Sequence, residues 1–365
     1  MKQILSILFL LILSLALTSA YAQETTKAKS NLEKEIENKE FVKILNKNLA
    51  IFPENTQVSI ALIDGDKTTY IGVIRKNDTL QVIDNKNSVF EIGSVTKVFT
   101  SVLLSSLITK KQISLQETLQ NQFDFTLKNG GEITLQQLAN HTSGLPRLPK
   151  NIFPLFNVTP NDPYINYTPK LLEYYLKNDV VLENPTGTKS VYSNLGAGLL
   201  GYILTKKVKK SYEKLLQEEI FTPLQMRNSS TLLKNIDPQK LIKGLDTNGK
   251  ETSNWSFTDA LVGAGGIKST IIDMEKFIRK NFEDSTVYNL PQQPTFTINK
   301  HLKIGLGWHI LSKNNTLWHN GATGGYRSFI GFQKEHKKAI IILSNVSAFH
   351  KKSDNIDMVG ITFLK

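Results

Sequence analysis

A serine and a lysine three residues apart on one helix put a hydroxyl and an amine on the same face, the layout of a nucleophile beside its base. The chain has two such pairs, Ser94-x-x-Lys97 and Ser211-x-x-Lys214. Ser94 has the better setting. Val89, Phe90 and Ile92 read as a strand end, Gly93 as a sharp turn, and Val98, Phe99, Val102, Leu103, Leu104, Leu107 and Ile108 as a helix too broadly apolar for a surface. A helix packed on several sides holds its first turn rigidly, with Ser94 at the positive end of the dipole. Burial or a nearby cation would lower the pKa of Lys97 and let its amine act as base. Ser211 lies in a charged amphipathic segment without a glycine turn and is read as structural.

Two further motifs offer partners. Tyr192-Ser193-Asn194 precedes a helix expected from about residue 196 to 208. A phenol near a lysine can relay protons to and from a serine, and an asparagine offers both an acceptor and donors to fix the lysine and a substrate amide. Tyr164-Ile165-Asn166 has the same pattern but sits in a proline-rich loop, so Tyr192 is preferred. Trp318-His319-Asn320-Gly321-Ala322-Thr323-Gly324-Gly325-Tyr326-Arg327 begins as a strand, and its glycines allow the backbone to approach a ligand. Such a strand beside Ser94 could give a backbone N–H that pairs with the N–H of Ser94 in an oxyanion hole. A phosphate loop is excluded, because no G-x-x-x-x-G-K-[ST] pattern occurs. His319 alone reads as a structural hydrogen-bonding residue, yet it forms the only His-x-Gly of the chain.

These residues need elements to hold them. Residues 31–50 have helical spacing, and 58–63 and 69–74 are short strands joined by Asp64-Gly65-Asp66, a hairpin signal. Helical patterns dominate from about 114 to 259, and strands return at 307–312, 316–319, 326–332 and 339–345. The arrangement expected is one α/β domain built from 31–111 and 260–365, with a helical domain, 112–259, inserted between its halves. Residues 1–22 read as a cleavable signal peptide: Lys2, an apolar run over 4–17, then Ala20-Tyr21-Ala22. Residues 23–30 read as a flexible leader. A periplasmic or secreted chain with no stable membrane anchor after cleavage is the expectation. The absence of cysteine excludes disulfides and thiolate metal sites. The formal charge of +12 is spread over scattered lysines with no basic stripe interleaved with aromatics, which argues against nucleic acid.

Taken in order, Ser94-x-x-Lys97, Tyr192-x-Asn194 and His319-x-Gly321 resemble the motif series of the penicillin-recognising serine hydrolases, the group of class C β-lactamases and serine DD-peptidases and esterases. Leu138-Ala139-Asn140-His141-Thr142-Ser143-Gly144-Leu145-Pro146, Gly265-Gly266-Ile267-Lys268-Ser269-Thr270 and Gly305-Leu306-Gly307-Trp308 are similar to its other landmarks, so the likeness runs from about 58 to 345. The resemblance implies an α/β (α+β) fold, with a central antiparallel β-sheet flanked by helices and an inserted all-helical domain. It implies no metal and no cofactor, and a small-molecule substrate: a β-lactam, a D-amino-acid peptide or an ester. It makes Ser94 the acylated nucleophile, Lys97 its activating partner and Tyr192 the general base or proton relay. Asn194 would hold the lysine and the substrate, and Ala322, beside Gly321, would complete the oxyanion hole. His319 occupies the place of a lysine in the β-lactamases' Lys-Thr-Gly, which is absent here and leaves β-lactamase, DD-carboxypeptidase, D-aminoacyl hydrolase and carboxylesterase chemistry open, with a non-catalytic sensor a further reading. A protonated His319 or, failing that, Arg327 is the expected anchor for a substrate carboxylate; a neutral His319 would instead hydrogen-bond Tyr192 or Ser94.

Overall fold

The computed structural model describes residues 31–365, so the expected signal peptide and leader lie outside the described residues. The helical spacing of 31–50 resolves into a short turn of helix, Leu32–Glu35, and a longer helix α1, Lys39–Leu49. Asn38 separates them, its side chain accepting from the Phe41 N–H as a cap. Strands β1 (Gln57–Asp64) and β2 (Lys67–Lys76) form the expected hairpin, with Gly65 at φ +58°. Strand β3 (Thr79–Ile83) extends it. A short strand β4 (Val89–Glu91) then leads through a 3₁₀ turn, Gly93–Val95, into helix α2 (Thr96–Thr109).

The middle of the chain carries helices α3 (Leu135–Ala139), α4 (Pro169–Asn178) and α5 (Asn194–Val208), each started by a Thr or Ser that accepts from a backbone N–H of the first turn. None of its described residues joins the main sheet; a two-residue ladder, Gly244–Leu245 with Glu251–Thr252, is a local exception to its helical character. Strand β5 (Lys268–Thr270) returns to pair with β4, and helix α6 (Ile271–Phe282) follows. The chain ends with β6 (Phe296–Asn299), β7 (Leu302–Ile304), β8 (His309–Leu311), β9 (Thr316–Ala322), β10 (Arg327–Gln333), β11 (Lys338–Ser344) and helix α7 (Asn355–Phe363).

Nine strands make one antiparallel sheet in the order β3-β2-β1-β11-β10-β9-β8-β7-β6. The first and last long strands are neighbours, with Val58 opposite Ser344, so the two ends of the chain close one sheet. Successive strand residues face opposite sides, and here both sides are covered. Ile340 and Ile342 join a core with Phe41, Leu45 and Val359, whereas Ile341 and Leu343 join one with Phe99, Phe277 and Ile330. That is why β11 is a continuous apolar run. Helix α2 lies in the second core and is buried at every position from 96 to 107. Strands β3, β5, β6 and β7 and helices α6 and α7 fall outside the expected elements. β6 and β7 are three or four residues of half-exposed sheet edge, too short to show alternation, and Asp354 before α7 gives no side-chain cap.

Candidate active site

Ser94 sits on the turn between β4 and α2, and it is the one residue from 89 to 107 that is partly exposed. The turn is held from both sides. Gly93 adopts φ +49°, a left-handed conformation that favours glycine. The Ile92 carbonyl accepts from Val95 N (3.2 Å) and from Ser328 Oγ (2.8 Å) on β10. Strand β9 runs against the turn without side chains between them. A Cβ on Gly321 would lie 2.0 Å from Ile92 O and 2.9 Å from Ser94 N, and one on Gly93 would lie 2.6 Å from Ala322 N. Two facing glycines thereby bring the N–H groups of Ser94 and Ala322 to one rim, the expected pair of oxyanion donors.

One helical turn on, Lys97 is buried, and its Nζ lies 3.0 Å from Ser94 Oγ, 2.9 Å from Asn194 Oδ1 and 2.7 Å from Ala264 O. Burial, helped by the nearby Arg147 charge, holds its pKa well below that of an ordinary lysine.

Tyr192 reaches the same point from the extended segment ahead of α5, and Asn194 from the first residue of that helix. The scaffold of both is the loop 138–147. Val191 N donates to His141 O (2.8 Å), and Ser193 N to His141 Nδ1 (3.3 Å). Ser193 Oγ donates to Pro146 O (2.7 Å) and accepts from Gly196 N (2.9 Å), while Asn194 N donates to Arg147 O (3.0 Å). The Tyr192 ring rests 4.5 Å from the His141 ring, 4.8 Å from Lys97 Nζ and 5.2 Å from the Arg147 guanidinium, with its hydroxyl beside Ser94. Burial pushes the Tyr192 pKa up, outweighing the Ser94 contact and the Arg147 charge that oppose it. The phenol therefore holds its proton, which suits a relay better than a resting phenolate base.

The cavity in front of Ser94 measures about 870 Å³. Tyr192, Asn194, Asn320, Gly321, Ala322 and Arg327 share its wall, so most of the expected site residues are brought together. Two of them do not behave as expected. His319 is fully buried and does not line the cavity; its Nδ1 donates to Asn320 O (2.6 Å) and its ring is 5.5 Å from that of His309. Burial, then the neighbouring His309 and Lys97, hold its pKa well below the usual imidazole value, so it is neutral and presents no cation to a carboxylate. Nor does its Nε2 reach Tyr192 or Ser94, since that atom has no partner among the described residues. Arg327 lines the cavity, but its guanidinium is bound to Asp357 (2.5 Å) and Asp354 (2.8 Å) on and beside α7, which cancels its charge.

Other residues at the site were not legible in the sequence. Tyr164, set aside as a loop residue, lines the cavity; its ring stacks 4.7 Å from that of Phe257 and its hydroxyl is on the side of Asn194. Behind the cavity wall, Glu91 on β4 faces Lys268 on β5. Glu91 accepts from Trp255 N and Asn254 Nδ2 (both 2.8 Å), and Lys268 Nζ donates to Trp255 O (2.9 Å), so the buried pair fixes the backbone that carries the Trp255 wall. A strand-end acid and a lysine after two glycines gave the only signal. Among the described residues, no group of side chains is arranged to hold a metal ion.

The arrangement of a serine hydroxyl, a buried amine, a phenol and two backbone N–H groups at one rim is the one expected of a serine hydrolase. A profile of the Beta-lactamase family matches residues 50–359, and the chain belongs to that family. It is 30% identical over 298 residues to "Beta-lactamase-like protein 4" of Dictyostelium discoideum, covering 71% of this chain and 50% of that protein, so the chain spans half that relative's length. It is 24% identical over 330 residues to the "D-alanyl-D-alanine-carboxypeptidase/endopeptidase AmpH" of Escherichia coli strain K12, covering 83% of each. In three dimensions it is similar to a class C beta-lactamase, with a TM-score of 0.72 and 19% identity over 90% of this chain and 97% of that one. An octameric penicillin-binding protein homologue from Pyrococcus abyssi gives 0.75 and 21% over 90% and 77%. These structures share the fold expected for the chain.

Proposed function

We propose that the chain is an exported, periplasmic or secreted hydrolase of the class C β-lactamase type that opens a β-lactam amide, or an analogous bond, through an acyl-Ser94 intermediate. The observation that carries this is the environment of Lys97. Three oxygens surround its Nζ: the Ser94 hydroxyl and two carbonyls, of Asn194 and Ala264. As an ammonium it donates to all three. As an amine it donates to the two carbonyls and turns its lone pair to the Ser94 O–H. One proton can thus pass between Ser94 and Lys97 with no side chain moving, and the lowered pKa makes the amine form accessible. In the reaction, Ser94 Oγ gives its proton to Lys97 and attacks the acyl carbon. The N–H groups of Ser94 and Ala322 take the developing oxyanion, and Tyr192 gives its proton to the leaving group and regains one from Lys97, so the proton taken from Ser94 is passed on. Water then releases the acyl group.

The site also supports a second reading, a carboxypeptidase or esterase using the same residues, because no lysine stands on β9 and His319 is neutral. Export rests on the basic start, apolar run and Ala20-Tyr21-Ala22 of the first 22 residues. The test is intact mass after incubation with a β-lactam or a fluorophosphonate, expected to show one added group on Ser94. Ser94→Ala should abolish it, while Ser211→Ala, which removes only a helix cap, should not. Labelling that survives Ser94→Ala refutes the mechanism. Turnover of nitrocefin, a D-Ala-D-Ala peptide and a short p-nitrophenyl ester then separates the two readings.

A further inference from the structure

The cations around the cavity differ in what already occupies them. Lys97 is held by three oxygens, and Lys268 is buried with its Nζ on the Trp255 carbonyl. His319 is neutral and enclosed, and Arg327 is tied to Asp354 and Asp357. Arg147 is the exception. It is exposed, lines the cavity, and its guanidinium has no ion pair or hydrogen bond among the described residues. Its backbone is fixed all the same, because its carbonyl accepts from Asn194 N (3.0 Å) and Leu195 N (3.1 Å) at the start of α5. A firmly rooted arginine therefore projects an unneutralised fork into the site, beside the ring of Tyr192. Among the described residues, Asp246 is the one other charged residue on the cavity wall besides the two arginines. Its carboxylate is taken up by Asn248 N (2.8 Å) and Lys250 N (2.9 Å) of its own turn.

We infer that Arg147 is the specificity-determining residue that binds a carboxylate of the substrate, the task first assigned to His319 or Arg327. The inference rests on the acyl-Ser94 reading above. A guanidinium fork matches a carboxylate in two parallel hydrogen bonds and keeps its charge across the working pH range. Leu148, Phe156, Tyr164 and Trp255 supply apolar wall around it, so the substrate it selects carries an anion on an apolar body. The guanidinium lies 5.2 Å from the Tyr192 ring, so the anion it binds is held on the Tyr192 side of Ser94.

The test uses boronic acids, which add to an active serine and stand in for the tetrahedral intermediate. Dissociation constants of phenylboronic acid and its 3- and 4-carboxy derivatives are measured by calorimetry on the full mature chain, its Ser94→Ala variant and Arg147→Ala, →Lys and →Glu variants. The wild type is expected to bind at least one carboxy derivative ten times more tightly than the parent. Arg147→Ala should erase that preference, Arg147→Lys should keep part of it, and Arg147→Glu should invert it. The inference is overturned if the wild type shows no preference, or if the preference survives Arg147→Ala; an Arg327→Ala variant measured alongside, if it alone loses the preference, would move the role to Arg327. It is also overturned if Arg147→Ala weakens parent and carboxy compounds by one common factor, the result of a role confined to supporting Tyr192. Binding of the parent compound that does not depend on Ser94 refutes the acyl-enzyme reading instead, so the two failures are told apart.

Discussion

Adding one methyl group to Gly93 should cripple acylation while leaving the fold nearly intact. Two effects are superposed there. The first is conformational: Gly93 has φ +49°, and placing an L side chain in that region costs roughly 1–2 kcal/mol. The second is steric. The new Cβ would sit 2.6 Å from Ala322 N and 2.9 Å from Ala322 O, both backbone atoms of β9. Ordinary contact begins near 3.4 Å, so turn and strand must part by about 0.8 Å. A donor 2.7–3.1 Å from the oxyanion would then stand roughly 3.5–3.9 Å away, beyond useful reach. Loss of one such donor costs about 10²–10³ in rate, or roughly 2.7–4 kcal/mol of transition-state stabilisation. Gly65 is the internal control, with φ +58° and nothing within 4 Å of its Cβ. Gly65→Ala should lower Tm by a few degrees and leave acylation unchanged. Gly93→Ala should show a comparable fall in Tm and a rate of fluorophosphonate labelling or ester turnover at least a hundredfold lower. A folded Gly93→Ala protein that acylates at the wild-type rate, or a Gly65→Ala protein equally impaired, would refute the reasoning.

Other outcomes follow from the same geometry. Tyr192→Phe removes the hydroxyl beside Ser94 and should slow turnover by about a hundredfold or more, the usual scale for a proton-transfer group. Tyr164→Phe removes a hydroxyl from the cavity wall on the side of Asn194 and should cost no more than about tenfold, seen mainly in KM; equal losses in the two variants would void the distinction. His141, His309 and His319 all have lowered pKa values, chiefly through burial, that of His309 falling to about 4. Each takes up a proton more readily when unfolded. Stability is therefore complete above about pH 6.5 and is lost as pH falls toward 4 and below. Thermal unfolding followed from pH 8 to 4 should show Tm falling below 6.5, and His309→Phe, keeping the stack on Trp318, should flatten part of that fall. A Tm independent of pH over that window would remove the argument.

Residues near each other in sequence made half of the site readable. Ser94 and Lys97 share one helical turn, so their contact follows from spacing alone, and the apolar breadth of the helix already required it to be buried. Gly93 announced the sharp turn, and the strand patterns at both ends announced a sheet closed by them. The likeness to a known motif series then placed Tyr192 and Asn194 beside the lysine. What spacing could not carry was the state of each charge. Whether an imidazole is a cation depends on what surrounds it, and β8 and β9 enclose His319 completely. Whether an arginine is free depends on acids elsewhere: Asp354 and Asp357, beside and on the last helix, neutralise Arg327, while no acid among the described residues pairs with Arg147. Tyr164 enters the cavity only because its loop folds back onto Trp255 and Phe257. Local pattern fixes where a backbone turns and which face it buries. Ionisation and access are set by neighbours from other parts of the chain, and only the folded molecule brings those neighbours into contact.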